Sequence, residues 1–316
     1  MKVALIIALV FLGVGALLVG FGWTLFNPAD MNITKDVVKV YHISEAPMQI
    51  HIDVTVGSVK LLPIEGEEWR VECIDQEKLY HTIELTDGTL TVKEIDMRTW
   101  YDHIGILSGL RNVSVTVYLP QKTYESLTLH SLSGGIRVEQ GLTFSNAELK
   151  NTSGSINFAS SVTDSLNVKN TSGSIFVDGE VKGDLTVKNT SGSIHVIGGV
   201  GGVLEVACGS GRIEIANATP SRAIVKNISG GIYLENVVCR ESCTIENTSG
   251  GIELQRCDAM TFDVTTVSGG IRASILSAKS FDCRSTSGSV KVPNDGNGGV
   301  FKARSTSGSI KITIVE

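Results

Sequence analysis

Apolar and polar residues alternate through the C-terminal two-thirds of this chain, and the alternation is broken at regular intervals by the pair Ser-Gly. In the third copy, Leu166, Val168 and Asn170 share one face of an extended segment. Ser172-Gly173 follows, and a second alternating run begins at Ile175. Alternation with period two predicts β-strands that bury one face. Successive pairs lie 19 or 20 residues apart, and their serines are Ser133, Ser153, Ser172, Ser191, Ser210, Ser229, Ser249, Ser268, Ser287 and Ser307.

A repeat of this length cannot bury its own apolar face, so neighbouring copies must stack on one another. The nearly constant length favours parallel coils over a meander of hairpins, which needs no equal spacing. A leucine-rich repeat has a similar period but requires a helical return for which these copies have no room. The pattern therefore predicts an all-β, right-handed parallel β-helix or solenoid with 19–20-residue coils. Ten coils about 4.8 Å apart would form a rod of roughly 48 Å.

The corner between the two strands of each copy has its own composition. The residue after the serine is always Gly, whereas the next is Ser, Gly or Arg, which predicts one residue with positive φ at each corner. Asn stands two positions before the serine in five copies, and stacking would place these amides in one hydrogen-bonded column. The corner residues to which we assign this structural role are Asn151, Asn170, Asn189, Asn227, Asn247, Gly154, Gly173, Gly192, Gly230 and Gly250.

The chain begins with an apolar segment. Residues 3–26 carry no charge and one polar residue, Thr24, and about 20 apolar residues span a bilayer. The run is longer than the apolar core of a cleaved signal peptide and ends without small residues, so we interpret it as a retained anchor, with a cleaved signal as the alternative. Lys2 is the only charge before it, which favours a single-pass protein in the cell membrane with its N-terminus inside and its C-terminal domain extracytoplasmic.

The predicted organisation is a transmembrane anchor over residues 1–27, an irregular N-terminal β-region that acts as a cap over residues 28–125, and the ten-coil solenoid over residues 126–316. Within the cap, residues 48–62 look like a degenerate copy of the repeat centred on Gly57-Ser58. Asp87-Gly88 lies between two alternating runs, which predicts a tight hairpin.

Charge and residue spacing argue against several kinds of site. The net charge of −6 argues against a nucleic-acid-binding protein, which would usually be basic. The six His residues are dispersed without metal-ligand spacing, and no two of the six Cys residues form Cys-x-x-Cys, so neither a metal site nor a cofactor is predicted. Cys239 and Cys257 lie between strands of neighbouring copies and can form a disulfide if the compartment is oxidising.

One outward-facing column of the array is basic. It could bind an anionic cell-wall polymer, or it could be a solvated face that resists aggregation, and the overall acidity of the chain favours the second reading. We call this column the cationic ridge, and its members are Lys150, Lys169, Lys188, Lys226, Arg284 and Arg304.

A second outward-facing column carries carboxylates. Glu214 and Glu253 lie two coils apart, or roughly 10 Å, with Tyr233 and His195 beside them. In inverting glycosidases the two catalytic carboxylates lie about 6.5–9.5 Å apart, so the expected separation of Glu214 and Glu253 is slightly too large for this mechanism. We favour the interpretation of this column as an ordinary mixed solvent face, and we predict no catalytic residue.

Three stretches resemble the bacterial putative-adhesin family of unknown function, whose β-solenoid domains are related to auto-transporter adhesin heads. They are residues 50–62, with the sequence IHIDVTVGSVKLL, residues 115–120 leading to residues 126–129, and the repeated Ser-Gly-Ser/Gly-Ile. The similarity covers roughly residues 45–316. The resemblance implies a membrane-anchored envelope protein, encoded in some members beside envelope-stress signalling genes, and it brings no assigned catalytic residues.

Together these patterns predict a non-enzymatic, membrane-anchored cell-surface or envelope protein that acts as an adhesin-like rigid interaction scaffold. One alternative is an envelope-stress accessory that modulates a membrane signalling partner, and a second is a polysaccharide-active β-helix enzyme. The expected partners are the membrane, through a single span, and a cell-wall polymer or an envelope protein. No nucleic acid, cofactor or small-molecule substrate is expected.

Overall fold

The computed structural model describes residues 36–98 and 113–315, and every regular element in them is a β-strand. Nothing in these ranges is a helix of the length and apolarity that crossing a bilayer requires. The predicted anchor lies outside the described residues. The seven N-terminal strands are β1 (Val37–Ile43), β2 (Gln49–Val56), β3 (Ser58–Ile64), β4 (Trp69–Asp75), β5 (Leu79–Thr86), β6 (Thr89–Asp96) and β7 (Ser114–Pro120).

Each repeat contributes one strand before its Ser-Gly corner and a shorter one after it. In chain order the strands are β8 (Thr123–Ser133), β9 (Ile136–Val138), β10 (Thr143–Ser153), β11 (Ile156–Phe158), β12 (Ser161–Ser172), β13 (Ile175–Val177), β14 (Asp184–Ser191), β15 (Ile194–Ile197), β16 (Val203–Ser210), β17 (Ile213–Ala216), β18 (Arg222–Ser229), β19 (Ile232–Glu235), β20 (Ser242–Ser249), β21 (Ile252–Cys257), β22 (Thr261–Ser268), β23 (Ile271–Ile275), β24 (Ser280–Ser287), β25 (Val290–Lys291), β26 (Val300–Ser307) and β27 (Ile310–Ile314).

The strands form two sheets. Sheet A has 14 strands in the order β1-β4-β7-β3-β9-β11-β13-β15-β17-β19-β21-β23-β27-β25. Sheet B has 13 strands in the order β24-β26-β22-β20-β18-β16-β14-β12-β10-β8-β2-β6-β5. Neighbouring repeats pair in parallel in both sheets, for example β10 with β12 and β11 with β13. The ten corners therefore bound a parallel β-solenoid of about nine turns, which confirms stacked coils and excludes the meander.

Identical side chains stack into columns through the interior. The first apolar residue after nine of the corners is an isoleucine that is at most 1% exposed. Direct register joins these residues into one column: Ile136, Ile156, Ile175, Ile194, Ile213, Ile232, Ile252, Ile271 and Ile310. β-branched residues suit this pleated surface, and burying each one fully contributes about 1.5–3 kcal/mol relative to leaving it exposed.

The coils follow chain order only as far as β23. The last coil, β26 and β27, lies between the coil of β22 and β23 and the coil of β24 and β25. The expectation that each coil lies directly over the preceding one is therefore wrong at this end. The composition of the two coils is consistent with this order, because the last coil carries Ile310, which is fully buried, where β25 carries the smaller Val290, which is 39% exposed. The coil with the better apolar face occupies the inner position.

A buried lysine fixes the connection that allows this exchange. Lys279, only 2% exposed, places Nζ 2.7 Å from Asp258 Oδ1 and donates to the Gly298 carbonyl at 2.6 Å and to Ser277 Oγ at 2.7 Å. Three oxygen partners compensate the burial of the ammonium group. The segment between β25 and β26 is thereby held against the end of the array.

The N-terminal strands extend the solenoid and then close it. β2 and β3 stack in parallel on β8 and β9, with Val56 opposite Ser133, which confirms that residues 48–62 form a degenerate repeat. β6 and β7 pair in parallel with β2 and β3 on the outer side, and β5, β4 and β1 complete the edges as antiparallel strands. The predicted hairpin is confirmed, since Asp87 and Gly88 join β5 to β6 with φ values of 50° and 73°.

Candidate functional site

The five corner asparagines form a buried column, but their hydrogen-bond partners are backbone groups. Each side-chain Nδ2 donates to the carbonyl oxygen of the corner glycine in the preceding coil, as Asn170 does to Gly154 at 2.8 Å. The amides were expected to bond to one another, and that contact occurs instead on sheet A, just after the C-terminal ends of β17 and β19, where Asn236 donates to Asn217 at 3.1 Å. The column at the Ser-Gly corners ties successive coils together.

The corner glycine meets two separate requirements. Nine of the ten have positive φ, between 110° and 159°, and the exception is Gly288 in the outermost coil. At Gly173, with φ 112°, an added Cβ would also lie 2.4 Å from the carbonyl oxygen of Gly154. The backbone conformation and the close approach of the preceding coil both exclude a side chain there.

Two substitutions in the asparagine column are expected to change the free energy of unfolding in opposite directions. Asn189 Nδ2 donates to Gly173 at 2.8 Å and to Gly192 at 3.0 Å, so Asn189→Ala is expected to lower the free energy of unfolding by about 1–2 kcal/mol. Cys208 takes the asparagine position in the next coil, with Sγ 3.3 Å from the Gly192 oxygen. Because an amide is a better donor than a thiol, Cys208→Asn should raise the free energy by about 0.5–1 kcal/mol. Urea unfolding measures both, and shifts of the same sign would contradict the assignment.

The cationic ridge forms a column on sheet B, but acidic side chains compensate most of it. Lys150, Lys169 and Lys188 are direct neighbours, and Ala207 separates them from Lys226. The ion pairs are Lys150–Glu148 at 2.6 Å, Lys188–Glu205 at 2.8 Å, Lys226–Glu246 at 3.0 Å, Arg304–Asp282 at 2.5 Å and Arg284–Asp282 at 3.5 Å. Among the described residues, only Lys169 of the ridge lacks an acidic partner.

This pairing changes the chemistry of the ridge. The hydrogen bond from Lys150 lowers the pKa of Glu148, which keeps that carboxyl ionised. The paired side chains are about half exposed, so the pairs contribute little to stability. The stripe therefore presents both signs of charge, unlike the purely cationic surface that a polyanion would select.

The ridge borders an elongated groove of about 1230 Å³ on sheet B, which we call the sheet-B groove. Its lining extends from Asp53 on β2 to Val267 on β22, and eight strand spacings of about 4.8 Å give a length of roughly 38 Å. Between the corner and the ridge lies a row of exposed side chains, most of them threonines: Leu132, Thr152, Thr171, Thr190, Ile228, Thr248 and Val267. Hydroxyl and ammonium groups thus lie in neighbouring columns along the groove, together with three aliphatic side chains.

A second groove of about 800 Å³ lies on sheet A, which we call the sheet-A groove. Its floor is open because Gly231, Gly251 and Gly270 carry no side chains, and its wall includes Glu214 and Glu253. Tyr233 lies between these two carboxylates in the strand register, as the sequence spacing predicted.

The carboxylates of the sheet-A groove are already engaged. Glu214 Oε2 lies 2.8 Å from His195 Nδ1, and Glu214 Oε1 lies 2.8 Å from Arg212 Nη1. Glu253 accepts a hydrogen bond from Gln255 Nε2 at 3.1 Å. Because both oxygens of Glu214 are occupied by cationic or imidazole partners, the pair is not arranged as a general acid with a water-activating base.

The cysteines are free thiols, and the disulfide considered for Cys239 and Cys257 is not formed. Burial raises the pKa of Cys257 to about 12, so this thiol stays protonated and unreactive. A different cluster was not predicted: Cys73, Asp75 and His81 bring potential metal-ligand atoms within 4.8 Å of one another in the N-terminal strands. The available signal was Asp75, an acidic residue in the buried register of β4.

The sequence profile of the family described as Toastrack DUF4097 matches residues 48–222 and 202–316. No curated protein is similar enough to count as a match. Among solved structures, a putative adhesin from Bacteroides fragilis has 13% identity and a TM-score of 0.39, with coverage of 89% of this chain and 99% of that one. A putative lipid binding protein from Parabacteroides distasonis has 14% identity and a TM-score of 0.41, with coverage of 90% and 98%. The two profile matches together span most of the sequence, and the chain therefore belongs to the Toastrack DUF4097 family.

Proposed function

We propose that this protein is a non-enzymatic, adhesin-like scaffold that binds an extended cell-wall polymer along the sheet-B groove. The observation that carries the proposal is the strict register of that groove, in which each coil repeats the same outward positions about 4.8 Å further along. A chain-like ligand with regular polar groups would meet the same lysine and threonine at the three successive coils of β10, β12 and β14. Several weak contacts on one rigid surface then add to a useful affinity.

The chemistry of the groove favours a polar, mixed-charge polymer. Three of its four lysines are paired with carboxylates, and its threonines offer hydroxyl donors and acceptors. Pockets for small molecules are more enclosed than this open groove. A glycan with hydroxyl, amide and carboxylate groups suits this lining better than either a polyanion or a small apolar ligand.

The remaining parts of the proposal concern placement. The uncharged run of residues 3–26 would hold the protein in the cell membrane by a single span, with the N-terminus inside and the solenoid outside. A right-handed coil is the expected hand, because nearly all connections between parallel strands of one sheet are right-handed. Membrane anchoring would keep the groove next to the cell wall.

Sedimentation with isolated cell-wall sacculi tests the groove. The full-length chain in detergent is expected to co-sediment, and Thr171→Trp combined with Thr190→Trp should weaken binding about tenfold, or roughly 1.4 kcal/mol, by filling the groove. Asn157→Trp, on the outward face of sheet A, is the matched control and should bind as wild type does. A wild-type protein that stays in the supernatant, or a double variant that binds as well as the control, would refute the proposal.

A further inference from the structure

Four polar side chains meet in the interior where the N-terminal strands close the two sheets. Cys73 and Asp75 project from β4 of sheet A, His81 from β5 of sheet B and Glu94 from β6 of sheet B. Their exposed fractions are 0%, 1%, 2% and 8%. A thiol, a carboxylate and an imidazole, with ligand atoms within 4.8 Å of one another, therefore lie in a region shielded from water.

The contacts within the cluster leave its hydrogen bonding incomplete. His81 Nδ1 lies 2.7 Å from Asp75 Oδ1, whereas His81 Nε2 has no hydrogen-bond partner and faces Glu94 Oε2 at 3.8 Å. Glu94 accepts hydrogen bonds from the backbone amides of Thr55 and Val56, at 3.1 to 3.2 Å. The unpartnered imidazole nitrogen is notable because a buried polar atom without a partner is uncommon and costly.

The charges are also unbalanced. Two buried carboxylates face one lysine, Lys39, whose Nζ lies 2.9 Å from Asp75 Oδ2 and whose side chain is 43% exposed. Buried charges are normally paired or bound to metal.

We infer that Cys73, Asp75 and His81 form a binding site for a divalent transition metal, with zinc as the best fit. Sulfur, imidazole nitrogen and carboxylate oxygen are the ligand types that zinc prefers. In a tetrahedral zinc site such ligand atoms lie about 3.5 Å apart. Ligand atoms that are now up to 4.8 Å apart must therefore approach by about 1.3 Å, and His81 Nδ1 and Asp75 Oδ1, now 2.7 Å apart, must separate by about 0.8 Å. Three protein ligands leave the fourth position for water.

Each group has a defined role in this site. The metal takes the place of the proton between His81 Nδ1 and Asp75 Oδ1, and that proton moves to Nε2. Glu94 then accepts the Nε2 proton in a hydrogen bond, the usual outer partner of a metal-bound imidazole. The Cys73 thiol releases its proton to solvent when its sulfur binds the metal.

The position of the site indicates what the metal does. Two ligands come from sheet A and one from sheet B, both at the edges where antiparallel strands end the array. A bound ion would join the two sheets at this end by direct bonds. It would therefore act as a structural clamp for the cap.

Cobalt is the probe for the test, because cobalt bound to a thiolate gives an intense near-ultraviolet charge-transfer band. The full-length chain in detergent, stripped with a chelator, is titrated with Co²⁺ and then with Zn²⁺. We expect one equivalent of Co²⁺ to produce the band, Zn²⁺ to remove it, and Zn²⁺ to raise the melting temperature in a concentration-dependent way.

Variants locate the site. Cys73→Ser should abolish the band, whereas Cys257→Ser, which alters a buried thiol of the repeat array, should retain it. Glu94→Gln should keep the band but weaken Co²⁺ binding about 10–100-fold, since it removes the negative charge of the outer partner and leaves the three ligands in place. Circular dichroism establishes that each variant is folded.

Three results would overturn the inference: no band in the wild-type protein, a band that survives in Cys73→Ser, or a band lost in Cys257→Ser. The first of these is decided on the unmodified chain. If Cys73→Ser does not fold, the inference can still be refuted in two ways. One is the absence of the band when the wild-type protein is titrated with Co²⁺, and the other is the loss of the band in Cys257→Ser.

Discussion

Gly230→Ala is expected to destabilise the protein by about 3–5 kcal/mol, whereas Gly231→Ala, one residue away, is expected to be neutral or slightly stabilising. Gly230 has a φ of 119°, and an added Cβ would lie 2.1 Å from the carbonyl oxygen of Gly211. That oxygen already accepts the Asn227 amide at 2.9 Å, so the backbone cannot retreat without breaking the corner. The penalty combines backbone strain with loss of inter-coil packing.

Gly231 provides a matched control for the same chemical change. The nearest atom to its added Cβ is the Gly251 oxygen at 3.8 Å, an ordinary contact, and its φ lies outside the left-handed region. Alanine there restricts the unfolded chain and contributes about 0.4–1 kcal/mol. Urea unfolding followed by circular dichroism measures both variants, and equal shifts of the midpoint would show that the two corner positions are equivalent after all.

Phe301→Ala is expected to lower the free energy of unfolding by about 3–5 kcal/mol. Phe301 is fully buried, and its ring lies 4.7 Å from that of Phe262 and 6.3 Å from that of Phe281. It belongs to the last coil in the sequence, which would be the least buried coil if the coils stacked in chain order. Its large expected effect therefore follows from the inner position of that coil.

Phe281→Ala tests the same point from the other side. Phe281 belongs to the outer coil and is only partly buried, so its loss should cost about 1–2 kcal/mol. Chemical denaturation of the two variants compares them directly. If Phe281→Ala proved the more damaging change, the exchange of the last two coils would be wrong.

The interior of the array could be predicted from the sequence because the same pattern of buried and exposed positions repeats in every coil. Period two assigns Leu166 and Val168 to the core, and a glycine that never varies identifies the corner. The order of the end coils could not be predicted in this way. β24 and β26 carry the same pattern, so periodicity alone does not say which of them packs on β22. That choice depends on the summed burial of each coil and on the contacts of Lys279.

The candidate surfaces were predicted less completely, because their chemistry depends on neighbours in other columns. The cationic ridge was recognised from one register, whereas its acidic partners stand in others: Glu148 two residues earlier and Glu205 on the next coil. The buried cluster was missed for a similar reason. Cys73 and His81 are on different sheets, and no spacing along the chain indicates that they meet.

The inner position of the last coil limits how a rod of this kind can change in length. A further repeat joined after β27 would find the adjacent sheet edge already occupied by β25. The N-terminal end is closed in the same sense, because β6 and β7 cover β2 and β3. Between β8 and β23 each copy stacks on equivalent neighbours, so duplicated or deleted repeats can be accommodated only there. The two ends are therefore fixed, and the array can become longer or shorter only in its middle.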